Sequence, residues 1–573
     1  MGSMTYVPQV YPQVWLPSEI DLNTWDKIEP WYRKLVDQPI ASAQDLESWL
    51  EAVGELNAAV AQIGAKRYVA MTCQTDDPER EASYLEFVRE IEPQLKPIHD
   101  QIRTRYLESP FRKALSADRY LVFDRAQANR KALYRSENIP RETELAELEQ
   151  SYQKIIGAMT IQYEGRELTP SQMAPYLEEN DRGVRRTAWE LVTNRRLEDR
   201  AELDELFDRM IELRVETAKT AGFSNYVDFA YRSRERFDYG IKEAEEFQTA
   251  IERVVVPLAK KLQEERRQAL GLDTLRPWDL AVDALGRPPL RPFQETEQLA
   301  AGTEAIFEKV DPELGAQFGY LRRNGLLDLA NRKGKAPGGY QTTFEADRLP
   351  FIFMNAVGLD GDLRTLLHEG GHAFHALASR GETISAYRES PIEFCEVASM
   401  SMELLGARDL EQFYSDADAN RSYRQLLEGI VLILPWIATV DAFQHWVYQN
   451  PEHTREERET AWAGLLDRFG GIVDWTGFEL AKKHSWHRQL HIFLYPFYYI
   501  EYGIAQLGAL QVWQRSLTDR KTAVADYRRA LALGGARPLP ELFAAAGIRF
   551  DFSEETLQPL MAAIGRELDQ IDA

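Results

Sequence analysis

The chain has 573 residues, of which 44% are apolar and 28% are charged, a composition typical of folded globular proteins and unlike that of disordered or fibrous chains. This length favours at least two lobes, because a single hydrophobic core rarely grows beyond about 300 residues. The net charge of −23 indicates a surface that repels phosphate backbones and anionic lipid, so neither nucleic acid nor a membrane is an expected partner.

Long amphipathic helices dominate the pattern of apolar residues. Ser42 is a predicted N-cap, and apolar side chains follow at helical spacing from Leu46 to Ile63. The same spacing runs from Phe247 to Leu262, where Pro257 predicts a kink because it removes a backbone hydrogen bond. The predicted fold class is therefore mainly α.

Three features bear on cellular location. Cys73 and Cys395 are too few and too far apart for a disulfide framework or a CxxC motif, which fits a reducing compartment. The longest apolar run, residues 429–440, is shorter than the roughly 20 residues of a membrane helix, so we predict a core helix. Residues 1–3 are interpreted as a remnant of cloning, and no export signal follows them. We expect a cytoplasmic protein.

Two short segments have the pattern of β-strands. Residues 159–168 place β-branched and aromatic side chains around Glu164 and Gly165, which predicts a hairpin. Residues 338–344 and 350–355 predict a small sheet directly before a helix that carries a metal-binding motif. An edge strand of this sheet either pairs with the backbone of an extended peptide or merely covers the helix.

The motif HEGGH, residues 368–372, is the strongest chemical signal in the chain. Asp362 is a candidate cap for its helix, on which His368 and His372 lie on one face and can share a metal ion. Imidazole and carboxylate ligands without a thiolate cluster favour one zinc ion per chain. Glu369 points about 100° around the helix, where it can act as general base on a metal-bound water.

The third ligand is predicted to come from the next helix. His375 lies seven residues after His368, about 10 Å along the axis, so it is assigned a supporting or packing role. Ser390, before a proline, predicts an N-cap whose capping box occupies Glu393. Glu396 is therefore the predicted third ligand. Glu403, on the same face, either accepts a hydrogen bond from a ligand imidazole or is a solvated surface charge.

The segment from residue 484 to residue 502 combines histidines and tyrosines at intervals of three or four residues. His491, Tyr495, Tyr499 and Tyr502 would supply neutral hydrogen-bond donors to an oxyanion beside a metal. Aromatic stripes are also common in protein cores, and this alternative stays open for each of them. If Pro496 begins a new helix, Tyr499 and Tyr502 share one of its faces.

Together these residues resemble the M3 metallopeptidases, and more closely the oligoendopeptidase F branch, a relative of thimet oligopeptidase. The motifs that carry the resemblance are DRGVR at 181–185, GKAPGGY at 334–340, HEGGHAFH at 368–375, EFCEVASMSMELL at 393–405 and HIFLYPFYYIEY at 491–502. The resemblance implies the zinc ligands and the base named above, and a zinc-dependent endopeptidase that cleaves short peptides internally.

The resemblance also implies roles for the tyrosines and the two lobes. Tyr495 and Tyr502 fall where the family has oxyanion-stabilising tyrosines, with Tyr499 between them, whereas the spacing of His491 differs by one residue from the thimet branch. The implied fold is two-lobed and helical, with a deep central channel and a small β-sheet next to the HExxH helix. Residues 4–190 are predicted to form the N-terminal lobe as a channel wall, and residues 191–573 the catalytic lobe.

Two other functions remain as alternatives. A helical HExxH metallocarboxypeptidase needs a cationic clamp for a free C-terminal carboxylate and carries an HES-type segment at its third ligand, where this chain has CEVAS. A non-catalytic peptide-binding or metal-buffering protein needs no general base between its ligands, so Glu369 disfavours it. The oligomeric state is left open.

Overall fold

The computed structural model describes residues 6–17 and 19–571, so the interpretation of residues 1–3 falls outside the described part of the chain. The described residues are mainly helical with two small sheets, which confirms the predicted fold class. Helices α1 to α22 are, in order, Trp25–Asp37, Ala43–Cys73, Pro78–Glu86, Glu92–Glu108, Ala117–Leu133, Ile139–Gly157, Arg182–Glu198, Arg200–Thr220, Tyr226–Ser233, Ile241–Ala250, Val256–Ala269, Thr296–Val310, Pro312–Arg323, Asp360–Ser379, Ile392–Gly406, Asp416–Gln449, Arg455–Phe469, Glu479–Lys483, Leu490–Leu494, Ile500–Leu531, Leu539–Ala545 and Glu554–Gln570. Strands β1 to β5 are Ile161–Tyr163, Arg166–Leu168, Leu327–Ala330, Tyr340–Phe344 and Leu349–Ala356.

Local sequence signals account for several element boundaries. The Ser42 hydroxyl accepts a hydrogen bond from the backbone N–H of Asp45 at 3.1 Å, which confirms the predicted cap of α2. Between α10 and α11 the backbone forms a π-helical turn, Ile251–Val255, immediately before the helix that contains Pro257. The proline cannot donate to the preceding turn, so the helix widens there, at the predicted kink.

The two sheets are a hairpin and a three-stranded sheet. Strands β1 and β2 pair across Glu164 and Gly165, both with positive φ, which confirms the predicted hairpin. In the second sheet β5 is central, parallel to β3 and antiparallel to β4. Strand β4 therefore lies at an edge. The sequence predicted β4 and β5 but missed β3, whose four residues are too few for a clear alternation.

Buried apolar residues form one large core, one smaller N-terminal core and a third, minor cluster of Ile161, Met173, Ala188 and Val192. The large core surrounds α14, α15 and α20, whereas the smaller core joins α1, α2 and α4 to Ile384 and Tyr387 from the C-terminal half. One described helix, α16, is long and apolar enough to cross a membrane by length and composition, and 72% of its most apolar window is buried within the protein. Its burial agrees with the predicted core helix.

Candidate metal centre

The HEGGH motif lies in α14, which packs closely against α15. Asp362, in the first turn, accepts backbone hydrogen bonds from residues 357 to 359 at 2.8 to 2.9 Å, so it caps α14 from inside the helix rather than as its N-cap. A Cβ on Gly371 would lie 2.5 Å from the carbonyl oxygen of Ala398 in α15. Glycine at this position allows the two helices to approach each other.

Three predicted ligands converge where these helices meet. His368, His372 and Glu396 offer donor atoms that all lie within 4.8 Å of one another. The Glu396 Oε2 atom lies 3.3 Å from His368 Nε2 and 3.7 Å from His372 Nε2. Donor atoms about 2.1 Å from one tetrahedral ion lie about 3.4 Å apart, so the donor set and its spacing fit zinc.

Neighbouring side chains orient the three donors. Glu403 Oε1 lies 2.7 Å from His368 Nδ1, a contact that fixes the orientation of the ring and directs its Nε2 atom towards Glu396. The Ser399 hydroxyl donates to Glu396 Oε2 at 2.9 Å, a contact that the sequence analysis missed. Burial opposes ionisation of Glu396, but hydrogen bonding to His368 and the charge of His372 hold the pKa of the carboxyl below its usual value.

The predicted capping box at the start of α15 is wrong. The helix begins at Ile392 with Pro391 as its N-cap residue, and no side chain caps it. The Ser390 hydroxyl instead contacts His375 Nε2 at 3.0 Å, and Glu393 is buried, where it accepts a hydrogen bond from Tyr239 at 2.7 Å. These buried partners take the side chains that the capping box would have used, because an unpaired buried polar group is costly.

Glu369 and His375 flank the ligands on α14 without joining them. Burial raises the pKa of the Glu369 carboxyl to about 7, and the backbone of Gln341 in edge strand β4 opposes this shift. The Glu369 carboxyl is therefore within reach of the β4 backbone. His375 is buried beyond the three ligands, where burial lowers its pKa to about 3.

The predicted tyrosines lie around an irregular turn between α19 and α20. The helix begins at Ile500, not at Pro496, and Phe497 in the turn has φ of +63°. The His491 ring lies 4.8 Å from the Tyr499 ring and 5.9 Å from the Tyr502 ring, and Tyr495, at its edge, is 48% exposed. Burial and the charge of Arg234 lower the pKa of His491 to about 4, so it is neutral at pH 7.

Tyr498 was not predicted and lies in the same cluster. Its ring is 5.3 Å from that of Tyr502. Burial and the charge of the Glu396 carboxylate raise the pKa values of both hydroxyl groups. Tyr498 and Tyr502 are therefore the tyrosines whose hydroxyl pKa values respond to the Glu396 carboxylate. Tyr499 instead faces Trp436 and Gln489. The spacing of four between Tyr498 and Tyr502 was the available signal.

Two arginines after α9 hold this turn in place. Arg234 donates to the Pro496 carbonyl at 2.8 Å, and its guanidinium lies 5.1 Å from the centre of the Tyr498 ring. Arg236 is fully buried and donates to the Phe497 carbonyl and to Glu501, the latter at 2.7 Å. Such contacts hold a non-glycine residue at positive φ.

A cavity of about 1080 Å³ lies between α16 and the start of α14. None of the three ligands lines it; Asp360 and Arg364 at the start of α14 and Trp436 in α16 do. The Trp436 Nε1–H donates to Gln489 at 3.0 Å, and Gln489 contacts His491 at 2.8 Å, so the cavity adjoins the tyrosine turn. His484 and His487 lie elsewhere, near Asp204.

A HExxH helix, a glutamate on the following helix and an edge strand beside them define the class of helical metallopeptidases. Sequence comparison agrees. The profile of peptidase family M3 matches residues 175–562, and that of the peptidase M3 N-terminal domain matches residues 18–133. The chain therefore belongs to peptidase family M3, and its relatives include oligoendopeptidase F proteins. The predicted resemblance is confirmed. The predicted lobe boundary at residue 190 stays a prediction.

Individual relatives differ in how much they share with the chain. Chromosomal oligoendopeptidase F of Lactococcus lactis subsp. cremoris is 24% identical over 337 residues, 55% of this chain and 52% of that protein. Oligopeptidase PepF of Bacillus subtilis (strain 168) is 23% identical over 328 residues, 55% of this chain and 47% of that protein. The solved structure of PZ peptidase A with an inhibitor is 29% identical, with a TM-score of 0.86 over 97% of this chain and 99% of that one. The matches span about half the length of the curated relatives.

Proposed function

We propose that the chain is a zinc-dependent endopeptidase that cleaves short peptides internally, with Glu369 as its general base. The observation that carries the proposal is the convergence of His368, His372 and Glu396 beside the buried Glu369. A bound zinc ion supplies Lewis acidity, polarising a carbonyl and lowering the pKa of water towards about 7. The two imidazoles and the carboxylate would hold it.

The chain's own residues provide the proton transfers and the oxyanion contacts. Glu369 takes the proton of the attacking water and returns it to the leaving amine. Tyr502 and Tyr498, beside Glu396, donate hydrogen bonds to the developing oxyanion, with the neutral His491 behind them. Tyr495 and Tyr499 lie further round the turn, so we assign them smaller roles.

We propose that the peptide backbone pairs with the edge strand β4. The β5 strand occupies one side of β4, and the Gln341 backbone on β4 faces Glu369. Main-chain pairing at this edge would align a peptide bond with the base while tolerating many side chains. The cavity beside α16 would then hold the adjoining part of the peptide. Two free cysteines, Cys73 and Cys395, support a cytoplasmic location.

The change of Glu369 to Gln tests the proposal. We expect zinc content to stay the same, because Glu369 is not a ligand, while kcat/KM on an internally quenched peptide falls roughly a thousandfold. Glu142→Gln, an exposed position in the first turn of α6, is the control for the same chemical change. Unchanged turnover in Glu369→Gln would remove the assigned base.

Peptides blocked at both ends separate the alternatives. Cleavage of a blocked peptide at an internal bond supports an endopeptidase, whereas strict dependence on a free C-terminus supports a carboxypeptidase. Incubation of a peptide pool that yields no new termini, with zinc bound, would support a non-catalytic peptide binder.

A further inference from the structure

Arg488 differs from the other arginines that line the large cavity. The others donate to acidic side chains or to backbone carbonyls: Arg266, Arg287, Arg364, Arg421 and Arg424. Among residues 6–17 and 19–571, Arg488 has no hydrogen-bond or ion-pair partner, and its guanidinium lies 5.1 Å from the centre of the Trp436 ring. The Arg488 side chain extends into the large cavity, where it is exposed to solvent while protein lies around it.

A second unpaired arginine lies behind the first. Arg196 and Arg488 together line a small side cavity of about 60 Å³, next to Trp475. Within the described residues Arg196 likewise has no hydrogen-bond or ion-pair partner, and burial together with the charge of Arg488 lowers its pKa to about 10. Both guanidinium groups therefore stay charged at neutral pH and repel each other.

Two adjacent, partly desolvated cations are unfavourable unless an anion joins them. The chain has 91 acidic and 68 basic residues, but none of the described acidic side chains lines this side cavity. A guanidinium binds a carboxylate through two parallel hydrogen bonds. The side cavity, about 60 Å³, is much smaller than the large cavity of about 1080 Å³.

We propose that Arg488, with Arg196 behind it, binds the free C-terminal carboxylate of the bound peptide. The inference rests on the proposed function, which makes a peptide the occupant of the cavity. A terminal carboxylate suits so small a side cavity better than a continuing chain does. The class of ligand is thus a peptide with an unblocked C-terminus.

The position of Arg488 relates this subsite to the bond that is cut. Arg488 contacts Trp436, Trp436 donates to Gln489, and Gln489 contacts His491 beside the tyrosines. An extended peptide advances about 3.3 to 3.6 Å per residue, so the separation of the two sites sets the number of residues between the terminus and the scissile bond. Anchoring the terminus would fix how many residues separate the scissile bond from the C-terminus.

Binding measurements on the zinc-loaded Glu369→Gln protein test the subsite without turnover. One peptide sequence is compared as the free acid, as the C-terminal amide, and as an amide whose last residue is aspartate. We expect amidation to weaken binding about 10- to 150-fold, since hydrogen bonds to charged groups contribute about 1.5 to 3 kcal/mol. Adding Arg488→Gln should remove the preference for the acid, with a smaller loss for Arg196→Gln. Arg287→Gln, which removes a paired arginine from the same cavity, should keep it.

The possible results separate this inference from the proposed function. Equal binding of acid and amide, or an equal loss for both in Arg488→Gln, overturns the subsite while leaving internal cleavage intact. Tight binding of the aspartyl amide that Arg488→Gln abolishes would also overturn it, because the site would then read an acidic side chain. A third result is that the free acid binds more tightly than the amide through Arg488, while the protein with Glu369 restored cleaves no peptide. This result would support the subsite and reject the proposed peptidase activity.

Discussion

The metal ligands and the tyrosine turn lie side by side, yet they are built differently. His368, His372 and Glu396 project from two regular helices that pack on each other. The tyrosines project from the turn between α19 and α20, in which Phe497 has positive φ. Helix periodicity positions the first group, whereas contacts from residues far away in sequence position the second.

This difference has energetic consequences. A helix keeps its own backbone hydrogen bonds, so the spacing of two ligands survives small changes in the surroundings. The turn lacks that internal support and depends on Arg234 and Arg236, more than 250 residues earlier in the chain. We expect substitutions around the turn to lower activity by misplacing the tyrosine hydroxyl groups. Substitutions around the helices should instead lower stability or metal affinity.

The largest expected effect comes from Arg236. Its change to Met removes the partner of Glu501 and the donor to the Phe497 carbonyl, both buried. Leaving one buried charge uncompensated costs about 3 to 5 kcal/mol, so the apparent Tm should fall. In Arg236→Met/Glu501→Gln, Tm should largely recover, but kcat should stay low because the turn has lost its support. Full recovery of kcat in the double variant would show that the turn holds itself.

The sequence predicted the helical part of the site better than the turn. Glu396 was chosen because a capping box was expected to occupy Glu393, and that capping box does not form. Glu396 nevertheless lies beside His368 and His372, because position along the helix, not the cap, decides which face a residue occupies. Tyr498 was missed because the backbone path through Pro496 and Phe497 depends on distant arginines, which no local pattern reveals.

The elements of the fold show the same contrast between local sequence signals and contacts from distant residues. Helices with caps and long apolar periodicity, such as α2, and the hairpin at Glu164 and Gly165 were predicted. Strand β3 was missed, since its four residues form a strand only by pairing with β5. The unpaired Arg488 also escaped the sequence analysis, because the absence of a partner is visible only in three dimensions.

We expect the loss of kcat for each tyrosine substitution to depend on the position of that tyrosine in the turn. Loss of one oxyanion donor costs about 100- to 1000-fold in kcat, so Tyr502→Phe should fall in this range. Tyr498→Phe should have a comparable effect, because its hydroxyl lies beside the same carboxylate. Tyr495→Phe, at a 48% exposed position, should lose less than tenfold. Steady-state kinetics on one quenched peptide measures all three, and a larger loss for Tyr495→Phe would reverse the assignment.

A substitution at the contact between α14 and α15 should lower stability more than it lowers catalytic activity. A Cβ in Gly371→Ala would lie 2.5 Å from the Ala398 carbonyl oxygen, so α14 and α15 must separate, at a cost of about 1 to 3 kcal/mol. Gly464→Ala, in α17, meets no atom within 4 Å and should stabilise the helix by up to about 1 kcal/mol. Thermal unfolding compares the two. Equal Tm values would mean that the helices do not need the glycine to approach.

The smallest effect is expected at Glu403, which contacts a ligand without being one. In Glu403→Gln the amide oxygen still accepts from His368 Nδ1 but carries no charge, so zinc affinity should fall about tenfold. Glu403→Ala removes the acceptor and should lose up to about 100-fold. Competition with a chromophoric chelator measures both affinities. Wild-type affinity in Glu403→Ala would show that packing of α14 on α15, without this hydrogen bond, suffices to hold the imidazole in its orientation.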